Sequence, residues 1–170
     1  MLVDAEEDMV MVVDVHFRIG NLLLKLTLHH IEDNRLGITS ETFDKKHVVF
    51  LDYDNVKLKT VERDCEKLIK YYRLSDFHII KSSENSYHAI CFNKCTFAQA
   101  CHLYLETNAD RSYLIRSIQR KYFTLRISSK KESNKFIKTI YSPNDNYECS
   151  WGHLLFISNR LQKKIQPCGK

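Results

Sequence analysis

Glycine and proline are scarce: the chain has four glycines and two prolines in 170 residues, and none of the glycines falls between Gly37 and Gly152. Phosphate-cradling loops need backbone conformations and close approaches that glycine supplies, so P-loop NTPases, Rossmann dinucleotide binders and nucleophile-elbow hydrolases are poor candidates. No apolar run approaches the roughly 20 residues needed to span a bilayer, and no membrane partner is expected. The first eight residues carry Asp4, Glu6, Glu7 and Asp8; a secretory leader would be basic there, so none is expected. Six cysteines do not make a small secreted framework in a chain of this length. The expectation is a cytoplasmic protein with reduced thiols. The composition is 44% hydrophobic and 28% charged, which suits one domain able to bury a core without disulfide or metal staples.

The net charge of +5 is unevenly placed. Between Asp110 and Lys138 nine basic residues (Arg111, Arg116, Arg120, Lys121, Arg126, Lys130, Lys131, Lys135 and Lys138) face only Asp110 and Glu132, a local +7 that leaves −2 elsewhere. Interleaved with Tyr113, Tyr122 and Phe123, this stretch suits a phosphate backbone. A solvated helix face is the plainer explanation of a charge run.

Along the chain, residues 13–19 alternate apolar and polar and predict a strand. Leu22–Ile31 is apolar and reads as a helix, and 36–46 is polar and turn-like. These place a boundary near residue 46, with 1–46 an appendage packed on the core and 47–170 the main domain with a C-terminal extension. His47–Tyr53 (HVVFLDY) predicts a buried strand. Thr60 predicts a helix N-cap, followed by Val61, Cys65, Leu68, Ile69 and Tyr72 at helical spacing. Strands at 77–81 and 86–92 flank a polar turn, and Thr96 caps a second helix carrying Phe97, Ala100, Cys101 and Tyr104. A short helical patch at 111–118 leads to a strand at 122–128. Beyond it come a strand at 136–141, a turn at 143–146 and a helix at 153–165.

The central order is β-α-β-β-α-β, so the predicted class is α+β with a split core of the ferredoxin-like or RNA-recognition type. In that topology the first and third strands are central antiparallel neighbours, and the fourth lies beside the first. Asp52 and Asp54 would then share one face at the end of the first strand. Ser86 and His88 would share a face at the start of the third, and Asp110 would precede the fourth.

Two carboxylates closing an apolar strand are costly there without a counter-charge. Hard oxygen donors select Mg²⁺ or Mn²⁺, and Asp110 would complete a set able to activate a hydroxyl and neutralise a phosphoryl oxygen. His88 and Ser86 would supply donors to phosphate oxygens. A strand-end cap with a turn at Asn55 is the competing explanation of Asp52 and Asp54.

Phe50-Leu51-Asp52-Tyr53-Asp54 resembles the first motif of the archaeo-eukaryotic primase (primase-polymerase) superfamily, and Ser86-Tyr87-His88 resembles its second, Ser-x-His. Asp110 falls where a third, acidic motif is expected. Leu125-Arg126-Ile127-Ser128-Ser129-Lys130 is similar to a basic strand in small archaeal plasmid and virus members. The resemblance covers 47–131. It implies a metal-dependent nucleotidyltransferase, a DNA primase or polymerase replicating a small replicon. It further implies Mg²⁺ or Mn²⁺ on Asp52, Asp54 and Asp110. Ser86, His88, Lys81, Arg126 and Lys130 would contact the dNTP or NTP. Single-stranded template or primer would run along Arg116, Arg120, Lys121 and Lys131, and a helicase or accessory primase subunit is a possible partner.

The runner-up is a metal-free RNA-recognition-type module that binds single strands and lacks turnover. Such a module needs exposed aromatics, for which Phe50 and Phe92 are the candidates. A haloacid-dehalogenase-type phosphatase is disfavoured because the chain has no Gly-Asp. A rolling-circle endonuclease is disfavoured because His29 and His30 are adjacent rather than flanking an apolar residue. Cys91, Cys95, Cys101 and His102 lack the paired C-x2-C spacing of zinc knuckles and read as buried thiols. His78 reads as a solvent-side strand residue.

Overall fold

A computed structural model describes residues 11–19, 22–31, 35–126 and 135–144. The described residues form a mixed α+β structure of two antiparallel four-stranded sheets and three helices. One sheet runs in the order β1 (Met11–Ile19), β2 (Leu22–Ile31), β3 (Arg35–Thr39), β7 (Thr124–Arg126). The other runs β4 (His47–Tyr53), β6 (Ser86–Cys95), β5 (Phe77–Ser83), β8 (Lys135–Ile140). The helices are α1 (Leu58–Tyr72), α2 (Phe97–Leu105) and α3 (Arg111–Arg120). No helix among the described residues is long and apolar enough to cross a membrane.

Four sequence expectations change. Leu22–Ile31 is a strand, not a helix, and pairs with β1 from Met11↔His30 to Ile19↔Leu22. Its Leu24, Leu26 and Leu28 alternate with Lys25 and Thr27, the period of a strand. The segment 36–46, expected to be turn-like throughout, begins within β3, which is followed by a tight reversal in which Thr42 N–H donates to the Lys46 carbonyl at 2.8 Å. The strand expected beside β4 is β7, which instead pairs with β3 through Gly37↔Arg126 and Ile38↔Leu125. Residues from both sides of position 46 therefore share a sheet, and among the described residues β4 is an edge strand. Helix α1 starts at Leu58 with Lys57 as its N-cap, so Thr60 lies in the first turn. The expected helix at 153–165 lies outside the described residues, as do the ends of the 122–128 strand and of the 143–146 turn.

Ser40 joins the sheets. Its N–H donates to the Phe123 carbonyl at 2.8 Å, its carbonyl accepts from Val48 N–H at 2.9 Å, and its Oγ lies 2.9 Å from His47 Nδ1. Each buried polar group at this junction finds a partner, as a buried backbone crossing requires. Helix α2 is fixed by a capping box between Thr96 and Gln99, a pattern visible in the sequence.

Strand pairing decides which residues share a face, because directly opposed residues point the same way. Phe50, Ile90 and His78 form one such row, and Asp52, His88 and Ile80 the next. The other face carries Leu51, Ala89 and Ile79, then Tyr53, Tyr87 and Lys81. Cys65 of α1 is buried beside that second face, feeling Cys91 and acting on Tyr53 electrostatically. Helix α1 therefore covers it, leaving Asp52 and His88 opposite.

Candidate functional site

The end of β4 gathers three sequence-distant segments. Asp52 and His88 are direct cross-strand partners, with Asp52 Oδ1 3.4 Å from His88 Nε2. That separation is long for a hydrogen bond and serves an electrostatic pairing when the imidazole is protonated. The side chains keep 19% and 9% of their exposure while Phe50, Leu51 and Ile90 around them are sealed. The third segment arrives edge-on: Asp110 N–H donates to the Asp52 carbonyl at 2.8 Å. This contact occupies the edge of β4 that the fourth strand was expected to cover.

Tyr104, which the sequence places only on the apolar face of α2, ties the segments together. Its hydroxyl lies 3.1 Å from the Asp52 carbonyl and 2.9 Å from the Asp110 carbonyl, and donates to them. Burial pushes its phenol above the ordinary range, so it is a neutral donor at any working pH. A buried tyrosine needs a hydrogen-bond partner. Sequence alone does not say that this one would lie on the site.

The acidic residues differ in what they have left to offer. Asp54 is exposed, follows β4 and makes no side-chain hydrogen bond or ion pair with a described residue. The turn behind it is fixed by Asn55 at φ 55° and by Val56 N–H donating to the Asn85 carbonyl at 3.0 Å. Asparagine tolerates that left-handed conformation better than most residues, so the turn explanation accounts for Asn55. Asp52 keeps one carboxylate oxygen without a partner among the described residues. Asp110 is different: it is the N-cap of α3, accepting from Ser112 N–H at 3.0 Å and Tyr113 N–H at 3.1 Å, with the Ser112 hydroxyl also donating. Partial burial pulls its carboxyl up, but the Ser112 and Tyr113 hydrogen bonds and Arg116 together hold it below the usual range.

Of the three carboxylates that the primase resemblance assigns to a cation, Asp110 is engaged as a helix cap, and Asp52 and Asp54 accept no hydrogen bond from a described residue. Among the described residues no three His, Cys, Asp or Glu side chains are grouped to hold a metal ion. Cys91 donates to Asn93 Oδ1 at 3.2 Å and Cys95 to the His47 carbonyl at 3.4 Å. Burial raises their thiols to about 11 and about 12. His102 Nε2 faces the Tyr72 hydroxyl at 3.1 Å.

The other expected contacts separate. Ser86 is buried at the start of β6, on the His88 face. Lys81 is opposite Tyr87 and Lys135, on the face away from His88, so strand parity removes it from the site. Arg126 lies in the other sheet, opposite Gly37. Arg116 is exposed, with Nη2 3.9 Å from Asp110 Oδ2. Arg120 and Lys121 are exposed and make no side-chain hydrogen bond or ion pair with a described residue, and Arg120 acts electrostatically on the Tyr113 phenol. Arg111 donates to the carbonyls of Tyr104, Leu105 and Thr107, closing the end of α2. Lys130 and Lys131 lie outside the described residues. Phe50 and Phe92 are each 1% exposed, so neither ring is open to stack on a base. His78 is buried, not solvent-facing, with Nδ1 3.0 Å from Thr139 Oγ1.

No known family model, curated protein or solved structure matches the chain.

Proposed function

We propose that this chain is a nucleotidyltransferase of the primase-polymerase type, extending a primer on a single-stranded template from nucleoside triphosphates. The observation that carries the reading is the cross-strand pairing of Asp52 with His88 at an end of β4 and β6 where both side chains keep some exposure beside the sealed Phe50, Leu51 and Ile90. The run β4-α1-β5-β6-α2, with β6 between β4 and β5, supports the split core. Asp52 and Asp54 would hold Mg²⁺ or Mn²⁺, which when bound supplies Lewis-acid stabilisation of the reacting phosphoryl oxygens. The chain's own part is positional. His88 donates to phosphate oxygens, Asp52 holds the imidazole in place across the ladder, and the buried aliphatic rows around them exclude water.

A primer-extension assay on a primed single strand with Mn²⁺ or Mg²⁺ tests the reading. Wild type extends the primer. Asp52→Asn and Asp54→Asn each lower incorporation by at least about a hundredfold, as expected for loss of an electrostatic group at the reacting centre. Asp54→Asn should melt with wild type in metal-free buffer, because the exposed Asp54 carboxylate makes no hydrogen bond or ion pair with a described residue. Template binding without extension by wild type would leave the non-catalytic binding module in its place.

A further inference from the structure

We propose that Asp110 and Tyr104 form a positioning clamp for Asp52, and that the Asp110 carboxylate is a helix cap and not part of a cation's ligand set. The inference rests on the function proposed above and departs from the three-acid arrangement that the primase resemblance implies.

The clamp has two sides. On the first, the Asp52 carbonyl accepts from Asp110 N–H at 2.8 Å and from the Tyr104 hydroxyl at 3.1 Å. That hydroxyl also lies 2.9 Å from the Asp110 carbonyl, so its single proton is shared between the two backbones. An edge strand has a free row of backbone groups and no neighbour to set its height. Here two donors at one carbonyl do that for the residue whose side chain faces His88. The Tyr104 ring is itself fixed by stacking on Tyr113 and Phe123, with centroids 5.8 Å and 5.6 Å away. Tyr113 is anchored in turn by its hydroxyl donating to the Thr124 carbonyl at 3.0 Å. The catalytic end of β4 is thus braced against β7 of the other sheet through α2 and α3.

On the second side, the Asp110 carboxylate takes three donors from the first turn of α3, two of them backbone amides left without helical partners. Leu114 N–H donates to the Asp110 carbonyl at 3.3 Å, the first turn of the helix. Turning this carboxylate towards a cation would uncap α3 and release the segment that holds Asp52. Capping and ligation also make different demands on residue type. Asparagine, serine and aspartate are near-equal caps, whereas a divalent hard cation at such a site requires the carboxylate charge.

The test uses the full chain with Asp110→Asn, Asp110→Ser, Asp110→Ala and Tyr104→Phe. It reads thermal melting without metal, binding of Mn²⁺ alone, hydrogen exchange at the Asp110 amide, and primer extension. Asp110→Asn and Asp110→Ser should melt near wild type and Asp110→Ala about 2–4 °C lower, the size of one lost cap in a chain of this length. Mn²⁺ affinity should stay within about twofold in Asp110→Asn, because that carboxylate is not a ligand. Tyr104→Phe keeps the ring stack. It should speed exchange at the Asp110 amide and lower kcat about tenfold with little change in nucleotide KM, the signature of misplacement and not of lost binding. A loss of Mn²⁺ affinity of about tenfold or more in Asp110→Asn, with melting unchanged, would make Asp110 a ligand and overturn the proposal. So would unchanged exchange at the Asp110 amide in Tyr104→Phe. If wild type extends no primer, the function proposed above fails. The melting series and amide exchange still decide the clamp.

Discussion

His78 is 2% exposed, with the Phe92 ring 5.5 Å away and Nε2 without a hydrogen-bond partner among the described residues. Burial lowers its pKa from an ordinary 6.5 to about 4, against a weaker opposing pull from Asp76. The folded imidazole therefore stays neutral where the unfolded one has begun to bind a proton. Its contribution to stability is complete above pH 6.5, declines as pH falls towards about 4, and changes no further below that. The full effect is on the order of 3 kcal/mol. His78→Gln keeps a donor for Thr139 and cannot titrate, so its melting temperature should fall less than that of wild type between pH 6.5 and 4. Parallel melting curves for the two proteins would show that His78 is not the acid-sensitive group. Strand parity placed His78 opposite its apolar neighbours Phe77 and Ile79, which reads as an exposed face in a one-sided sheet. Around His78 the central strands are buried on both faces, and no local pattern reveals that.

At the scale of elements, what was legible followed local chemistry. The capping box of α2, the apolar stripe of α1 and the β5–β6 hairpin are each written within a dozen or so residues. The meeting of Asp52 with His88 was legible too, since any β-α-β-β unit with its first and third strands adjacent brings those ends together. Long-range pairing was not. β2 carries four leucines among its first five residues, and leucine favours helix when no partner is considered. The antiparallel ladder with β1 overrides that preference. β7 left the sheet expected for it because β3, hidden in a polar segment, offered another edge. Gly37 permits that pairing. A Cβ there would lie 2.8 Å from Thr124 Cγ2 and 3.3 Å from the Leu125 carbonyl oxygen. Gly37→Ala should therefore destabilise by about 1–3 kcal/mol through overpacking between β3 and β7. Thr124→Ser removes the nearer methyl, so the double variant should recover part of the loss in a denaturant titration. Simple additivity of the two substitutions would place the strain elsewhere.

Over the whole molecule, the basic stretch divides into committed and uncommitted charges. Arg111 closes the end of α2, and Lys138 pairs with Glu62 at 3.0 Å. Arg120 and Lys121 sit exposed at the end of α3, with Arg116 one turn earlier and only loosely attracted to Asp110. Sequence could count these charges. It could not tell which were engaged, because the carbonyls Arg111 serves lie across a turn on another helix. If the uncommitted ones follow a single-stranded backbone, binding releases condensed counterions and the association constant falls with salt, by a log–log slope of about −0.7 for each phosphate neutralised. Arg120→Gln with Lys121→Asn should then flatten the slope by about 1.4 for an oligothymidylate, and for other sequences alike, because phosphate contacts carry no base information. Asparagine is chosen because Lys121 has φ 66°, a conformation it tolerates. Arg111→Gln is the control: it should lower the melting temperature and leave the slope unchanged. An unaltered slope in the double variant would make the end of α3 an ordinary solvated surface. A flattened slope in the Arg111 variant would mean that its guanidinium leaves the α2 carbonyls to meet the strand.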